Sequence, residues 1–267
     1  TTFQVLKEPD RDPSSKSYMW VQTTGKIEQP IVIFDYFPSR SSQVPLKLFE
    51  GYSGYLQVDG YAGYNAVSRE YDVKLVGCWN HARRKFMNVI KAMEKKSKGK
   101  AKPGKATKGL NYIKRLYGIE REIKDKTFDE KYLIRQERSK PILDDMKKWI
   151  DKSKPSVPPK TLLGKALGYV DNEWIKLYRY IDDGRLNIDN NHAENAIRPY
   201  VIGRKNWLFS DSVKGAYAGA NIYSIVETAK TNGLNPFDYM RHIVEKLPAA
   251  KSVEDIECLL PWAVKLD

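Results

Sequence analysis

Apolar and polar residues alternate in short runs along the first quarter of the chain. TTFQVL (1–6) repeats with the period of two expected of a strand, SYMWVQTT (17–24), IVIFDYF (31–37), GYLQVDGY (54–61) and VKLVGCW (73–79) follow as further strands, and Gly, Pro and Ser punctuate the gaps. QVPLKLFEG, between the third and fourth runs, and AGYNAVSRE, after the fourth, predict short helices. From Asn80 the period changes. HARRKFMNVIKAM sets Ala82, Phe86, Val89, Ile90 and Met93 at helical spacing.

The helical pattern continues through residues 110–151, as one long helix and a second after Pro141, until KSKPSVPPK breaks it. A further helix is predicted from Leu162 to Ile181 with Trp174, Leu177 and Tyr178 facing inward. Near the end, AYAGANIYSIVETAKTNGLNPFDYMRHIVEKLP predicts two helices split by NGLNP. Ala218, Ile222, Ile225, Val226 and Ala229 form the apolar stripe expected to pack on the sheet. A helical block of this length between strands and later helices is too long for a loop and reads as an inserted subdomain. The division expected is 1–92 and 185–248 for two parts of one core, 93–184 for the insertion with its basic linker, and 249–267 for a C-terminal tail.

Composition narrows the partner. The 267 residues are 41% hydrophobic and 30% charged, enough apolar content for a packed core, and the formal net charge of +13 favours polyanions such as nucleic acid. The lysine-rich run KKSKGKAKPGKATK (95–108) reads as a solvated linker or as a sequence-blind phosphate contact. Cys78 and Cys258 belong to no CxxC pair, which fits a reducing cytoplasm, and no apolar run approaches a membrane span or a signal peptide.

Two carboxylates stand out. Asp59 ends an apolar strand beside Gly60, where it either makes an Asp-Gly turn or projects from the sheet edge, and Tyr52, Tyr55, Tyr61 and Tyr64 crowd it as base-stacking platforms or as the roof of the core. Glu194 lies in RLNIDNNHAENAIRPYVIGRKNWLF, on a short helix capped by Asn190 or Asn191 and stopped by Pro199. There Asn191 and Glu194 either form a capping box or leave the acid free for chemistry. Arg198 follows one turn later, and Arg204 and Lys205 lead into an apolar NWLF strand. These cations, with Arg83, Arg84 and Lys85 of HARRKF, are candidate phosphate contacts or solvated surface. His81 and His192 are candidates to orient DNA. The HAE of 192–194 has no following PCxxC to complete a zinc site, and GxSxG and GxxxxGK[ST] are both absent.

YLQVDGYAGYNAV, GCWNHARRKF, DNNHAENAIRPYVIGRKNWLFS, YSIVETAKTNGLNPFDYM and ECLLPW, in this order, resemble the transposases of the insertion sequence 66 family. These are acidic-triad (DDE) enzymes of mobile elements. The resemblance implies an α/β fold with a ribonuclease-H-like mixed sheet flanked by helices, the insertion falling between the fifth strand and the helix of Glu194. It implies DNA recombination by two-metal phosphodiester transfer, with Asp59 and Glu194 as the second and third acids. Two Mg²⁺ or Mn²⁺ ions are the expected cofactor, since hard oxygen ligands select them.

Thr1 resembles the threonine of the family's Asp-Glu-Thr stretch, so the first acid is expected upstream of Thr1 and this chain alone is expected to be inactive. Asp35 is the local substitute. The expected partners are double-stranded transposon ends and target DNA, bound by a homo-oligomer in a bacterial cytoplasm, at the nucleoid when on DNA. A non-catalytic basic DNA-binding accessory module and a structure-selective nuclease of the same fold are the other readings.

Overall fold

The computed structural model describes residues 1–24, 28–97 and 104–264. In chain order the elements are strands β1 (Thr2–Lys7), β2 (Lys16–Thr23) and β3 (Val32–Phe37), helix α1 (Gln43–Leu48), β4 (Gly54–Gln57), α2 (Val67–Glu70) and β5 (Val73–Val76). There follow α3 (Trp79–Ser97), α4 (Lys105–Glu122), α5 (Phe128–Ile134), α6 (Lys140–Ser153), α7 (Leu162–Asn172) and α8 (Trp174–Tyr178). The chain ends with α9 (Asn191–Ala196), α10 (Arg198–Trp207), β6 (Phe209–Ser212), α11 (Val213–Thr231), α12 (Pro236–Lys246) and α13 (Val253–Glu257). It divides into two compact units, Thr1–Val44 with His192–Asp267, and Pro45–Asn191. The middle of the lysine run, 98–103, lies outside the described residues.

The first unit is built on a four-stranded sheet of order β3-β2-β1-β6, with β2 antiparallel to both neighbours and β6 parallel to β1. Alternation turns Phe3, Val5, Val32, Phe34 and Tyr36 to one face, where Tyr200, Ala216 and Ala220 bury them. The five front strands expected in a single mixed sheet are therefore divided: β1 to β3 join β6, while β4 pairs with β5. Beside β1 the register runs Gln4↔Phe209, Val5↔Ser210 and Lys7↔Ser212, and Lys7 meets Asp211 at 2.8 Å.

Helix α11 docks through a polar stripe. Ser224 Oγ accepts the Phe34 N–H at 2.8 Å, Thr228 Oγ1 accepts the Val32 N–H at 3.0 Å, and the Asn232 amide donates to the Pro30 carbonyl at 2.8 Å. Four-residue spacing on the helix thus meets the outward-facing backbone of an edge strand. This corrects the expected stripe: Ala218 and Ile222 are exposed, and the buried face carries Ala216, Ala220, Glu227, Thr228 and Ala229. Gly233, at φ +77°, closes α11 in the left-handed conformation, and Asn235 caps α12 through the Phe237 N–H.

The second unit packs helices against the parallel pair β4 and β5. Trp79, Ala82 and Phe86 of α3 are fully buried against Leu110, Ile113, Leu143, Ile150, Leu167 and Leu177, and Val89 is buried with them as expected, whereas Met93, expected on the same face, is exposed near the end of the helix. Pro141 does not end a helix. α5 passes through a π-helical turn, Arg135–Ser139, into α6, and the break falls earlier, where Thr127 and Glu130 form a capping box. The predicted Leu162–Ile181 helix breaks at Glu173 between α7 and α8. Within the π turn the Arg135 side chain, 2% exposed, pairs with both oxygens of Glu120 and donates to the carbonyls of Tyr180, Asp183 and Leu186.

Candidate active site

In the second unit the site residues gather at the C-terminal ends of β4 and β5. Val58 continues the strand pairing through its N–H to Val76 at 2.9 Å, and the chain then turns at Asp59. The half-buried Asp59 carboxylate accepts the Tyr61 N–H at 2.9 Å, an Asx turn that fixes the carboxyl group at the strand end. The turn expected of an Asp-Gly pair is thus formed at Asp59. The tyrosines mostly serve structure: Tyr52 donates to the Tyr55 carbonyl at 2.7 Å, and Tyr64, edge-on to Tyr61, packs on the core around Val58 and Val67.

β5 leads directly into α3. Buried Trp79 donates its indole N–H to Leu177 at 2.8 Å and its amide to Ile188 at 3.1 Å. Cys78 Sγ accepts the Asn190 N–H at 3.3 Å, and burial pushes its thiol above the ordinary range, leaving a neutral sulfur. Asp189 accepts the Asn191 amide at 3.1 Å and carboxamide at 2.9 Å, and also the Tyr117 hydroxyl at 2.7 Å. Burial first, and Asp189 second, raise the Tyr117 pKa, so its phenol stays a donor. Asn80 donates to the Asn191 carboxamide oxygen at 2.9 Å. Together these bonds tie residues 188–191 to the start of α3 and to α4.

The Asn191 N–H is thus held by Asp189 at the start of α9. Asp189, with Tyr117, was not singled out from the sequence. Its signal was the acid two residues before a helix start in DNN, whereas nothing near Tyr117 pointed to it.

His81, half-buried, and the exposed Arg83, Arg84 and Lys85 follow on the first turns of α3. Lys85 Nζ lies 5.4 Å from the ring centroid of Tyr169. In the first unit, Glu194 is half-buried on α9, His192 and Arg198 are exposed, and Lys205 is exposed on α10. Pro199 lies in the first turn of α10 and so begins a helix, which suits a residue with no N–H to give. Arg204 is half-buried and donates to the Thr2 carbonyl and hydroxyl, joining α10 to β1. Tyr200 and Trp207 hold α10 through edge-on contacts with Phe3, at centroid distances of 5.7 and 6.3 Å. Asp35 accepts from Gln22 at 2.7 Å, and burial raises its pKa. The expected NWLF strand begins later than predicted, since Trp207 ends α10 and Leu208, at φ +65°, reverses the chain into β6.

The donor chemistry of Asp59 and Glu194 suits hard divalent cations: both are half-buried carboxylates, whereas the neutral Cys78 sulfur is a poor ligand for Mg²⁺ or Mn²⁺. No helix among the described residues is long and apolar enough to cross a membrane.

Comparison with known proteins gives the family of this mixed α/β chain directly. The profile described as "Transposase IS66 family" matches residues 1–218, and that of the "IS66 C-terminal element" matches 224–262. The chain belongs to the IS66 family of transposases. It is 29% identical to the uncharacterized protein y4qI and 29% identical to y4hP, both of Sinorhizobium fredii, which match 100% and 96% of this chain. It spans about half the length of these relatives, 50% and 48% respectively. No solved structure matches it.

Proposed function

We propose that this chain is the catalytic core of a transposase that cuts and joins DNA strands by two-metal phosphodiester transfer. The observation that carries the reading is the half-buried Asp59 at the end of a parallel strand pair, in the same unit as the basic first turns of α3. Family membership supports DNA as the substrate class. The ribonuclease-H-like arrangement, with 93–184 as an insertion in its core, is part of this proposal.

In this reading Asp59 and Glu194 hold the ions from separate elements, and the family's first acid, or Asp35 in its place, completes the set. Mg²⁺ or Mn²⁺ held there would supply activation of the attacking oxygen and neutralisation of charge on the phosphoryl centre and leaving oxygen. The chain's own residues supply position. Arg83, Arg84, Lys85, Arg198 and Lys205 hold phosphates from exposed positions, Arg204 secures α10 while sharing in that surface, and His81 and His192 orient the backbone. The Asx turn at Tyr61 limits rotation of the Asp59 carboxylate, as a ligand set requires. Pairing two transposon ends calls for a homo-oligomer on DNA, acting at the nucleoid.

The test uses a parent chain that includes the family's Asp-Glu-Thr stretch, with transposon ends and Mg²⁺ or Mn²⁺. Asp59→Ala and Glu194→Ala are expected to reduce cleavage and joining by on the order of 10³-fold or more while DNA binding without metal persists. Joining that survives both substitutions would instead make the chain a DNA-binding accessory module. Cleavage of branched DNA without joining would make it a structure-selective nuclease.

A further inference from the structure

Tyr169 belongs to α7 in the helical block, far along the chain from Asp59, yet its ring rests on the residue after that acid. A Cβ built on Gly60 would lie 2.8 Å from Tyr169 Cε2 and 2.9 Å from its Oη, closer than side chains pack. A methyl group at position 60 would therefore have to push the ring aside. The same ring carries the Lys85 ammonium 5.4 Å from its centroid, within the range of a cation–π contact. The rest of the side chain packs on the helical core, so the ring is anchored from behind. Burial, followed by the charge of Glu173 and that of Asp59, raises the phenol's pKa against Arg84, so the ring is neutral and its face electron-rich. Glu173 is itself paired with Lys176 at 2.8 Å.

We propose that Tyr169 is a positioning residue: resting on Gly60, it fixes the Asp59 turn, and it orients Lys85 to hold a DNA phosphate beside that carboxylate. The inference rests on the reading of Asp59 as a catalytic acid, but its Lys85 half does not. It gives the helical block a task, since one of its helices supplies the surface against which the acid and the phosphate-binding lysine are set.

Two double-substitution cycles on the parent chain test it. In the first, joining is measured against Mn²⁺ concentration. Gly60→Ala and Tyr169→Ala are each expected to lower joining about tenfold and to raise the half-saturating Mn²⁺ concentration, because a small displacement of a ligand is costly. Tyr169→Phe keeps the ring and is expected to stay within about twofold. In the Tyr169→Ala background, Gly60→Ala is expected to cost nothing more, since the methyl group then meets open space.

In the second cycle, DNA affinity is measured in EDTA. Tyr169→Ala and Lys85→Ala are each expected to weaken binding about two- to fivefold, and the pair together no more than either alone. If Tyr169→Ala does not fold, as judged by its melt, Tyr169→Leu takes its place in both cycles. Effects that multiply in both cycles, or a lowered melting temperature with unchanged Mn²⁺ requirement and DNA affinity, would overturn the proposal. Full joining by Asp59→Ala would instead sink the catalytic reading of that acid, and the EDTA cycle would still report on the lysine.

Discussion

The Thr228 hydroxyl accepts the Val32 N–H at 3.0 Å and donates to the Val32 carbonyl at 2.9 Å, so one side chain of α11 takes the place of a neighbouring strand along β3. Both residues are buried, and an edge strand left without these partners would hold unsatisfied backbone groups away from water. Thr228→Val, which keeps the shape and removes the hydroxyl, is expected to destabilise the protein by about 1–3 kcal/mol, measured by urea denaturation. Thr228→Ser should recover most of the loss. Equal stability of the valine variant and the parent would show that the edge finds other partners.

Asp35 makes stability depend on acidity. Burial raises its folded-state pKa above the ordinary carboxylate value, with the Gln22 hydrogen bond opposing the shift. A carboxyl group raised in this way favours the folded state fully below the unfolded value and loses that contribution as pH rises through the folded value. Asp35→Asn is therefore expected to be more stable than the parent at neutral pH, with the difference fading near pH ~3. Denaturation curves at the two pH values check this, and a difference that grows on acidification would contradict it.

Arg135 is a buried cation whose removal leaves Glu120 and three carbonyls without their donor. Arg135→Ala is expected to cost about 3–5 kcal/mol, read from the denaturation midpoint. Arg135→Lys should rescue little, because an ammonium cannot reproduce the planar fork that spans Glu120 and the carbonyls of Tyr180, Asp183 and Leu186.

The exposed cations differ from Arg204 in what their loss should do. Arg83→Ala, Arg198→Ala and Lys205→Ala are each expected to reduce the salt-dependence slope of DNA binding by about one, uniformly across DNA sequences, with little change in melting temperature. Arg204→Ala should lower the melting temperature as well, since its guanidinium holds Thr2. Filter binding over a salt series, beside thermal melts, separates the two behaviours.

The parts of the fold that were legible in the sequence are those whose burial follows side-chain period. Val32, Phe34 and Tyr36 alternate into the core, and Ala82, Phe86 and Val89 recur at helical spacing. β6 was harder to place because FSDS has no apolar alternation, being held by its pairing with β1. The inner face of α11 was misread because Ala218 and Ile222 look like core, while the docking is carried by Ser224, Thr228 and Asn232, whose polarity suggested solvent. Pro141 suggested a helix break, but a π turn absorbs its missing donor. Asp59 and Glu194 were visible as acids at element ends. The neighbours that fix the site's surroundings, Tyr117, Tyr169 and Asp189, were not, because side-chain contacts between distant segments leave no local pattern.

The parallel pairing of β6 with β1 has a consequence for how the molecule is made. Gln4 is translated before Pro45–Asn191, but Phe209, its partner, emerges only after the whole of that unit has been made. The contiguous helical unit is free to fold in the meantime, whereas the hairpins of β1 to β3 wait with Phe3, Val5 and Phe34 uncovered until α10 and α11 arrive. Nascent chains stalled before Phe209 should thus engage holding chaperones through residues 1–44, and release them once Thr231 has cleared the exit tunnel.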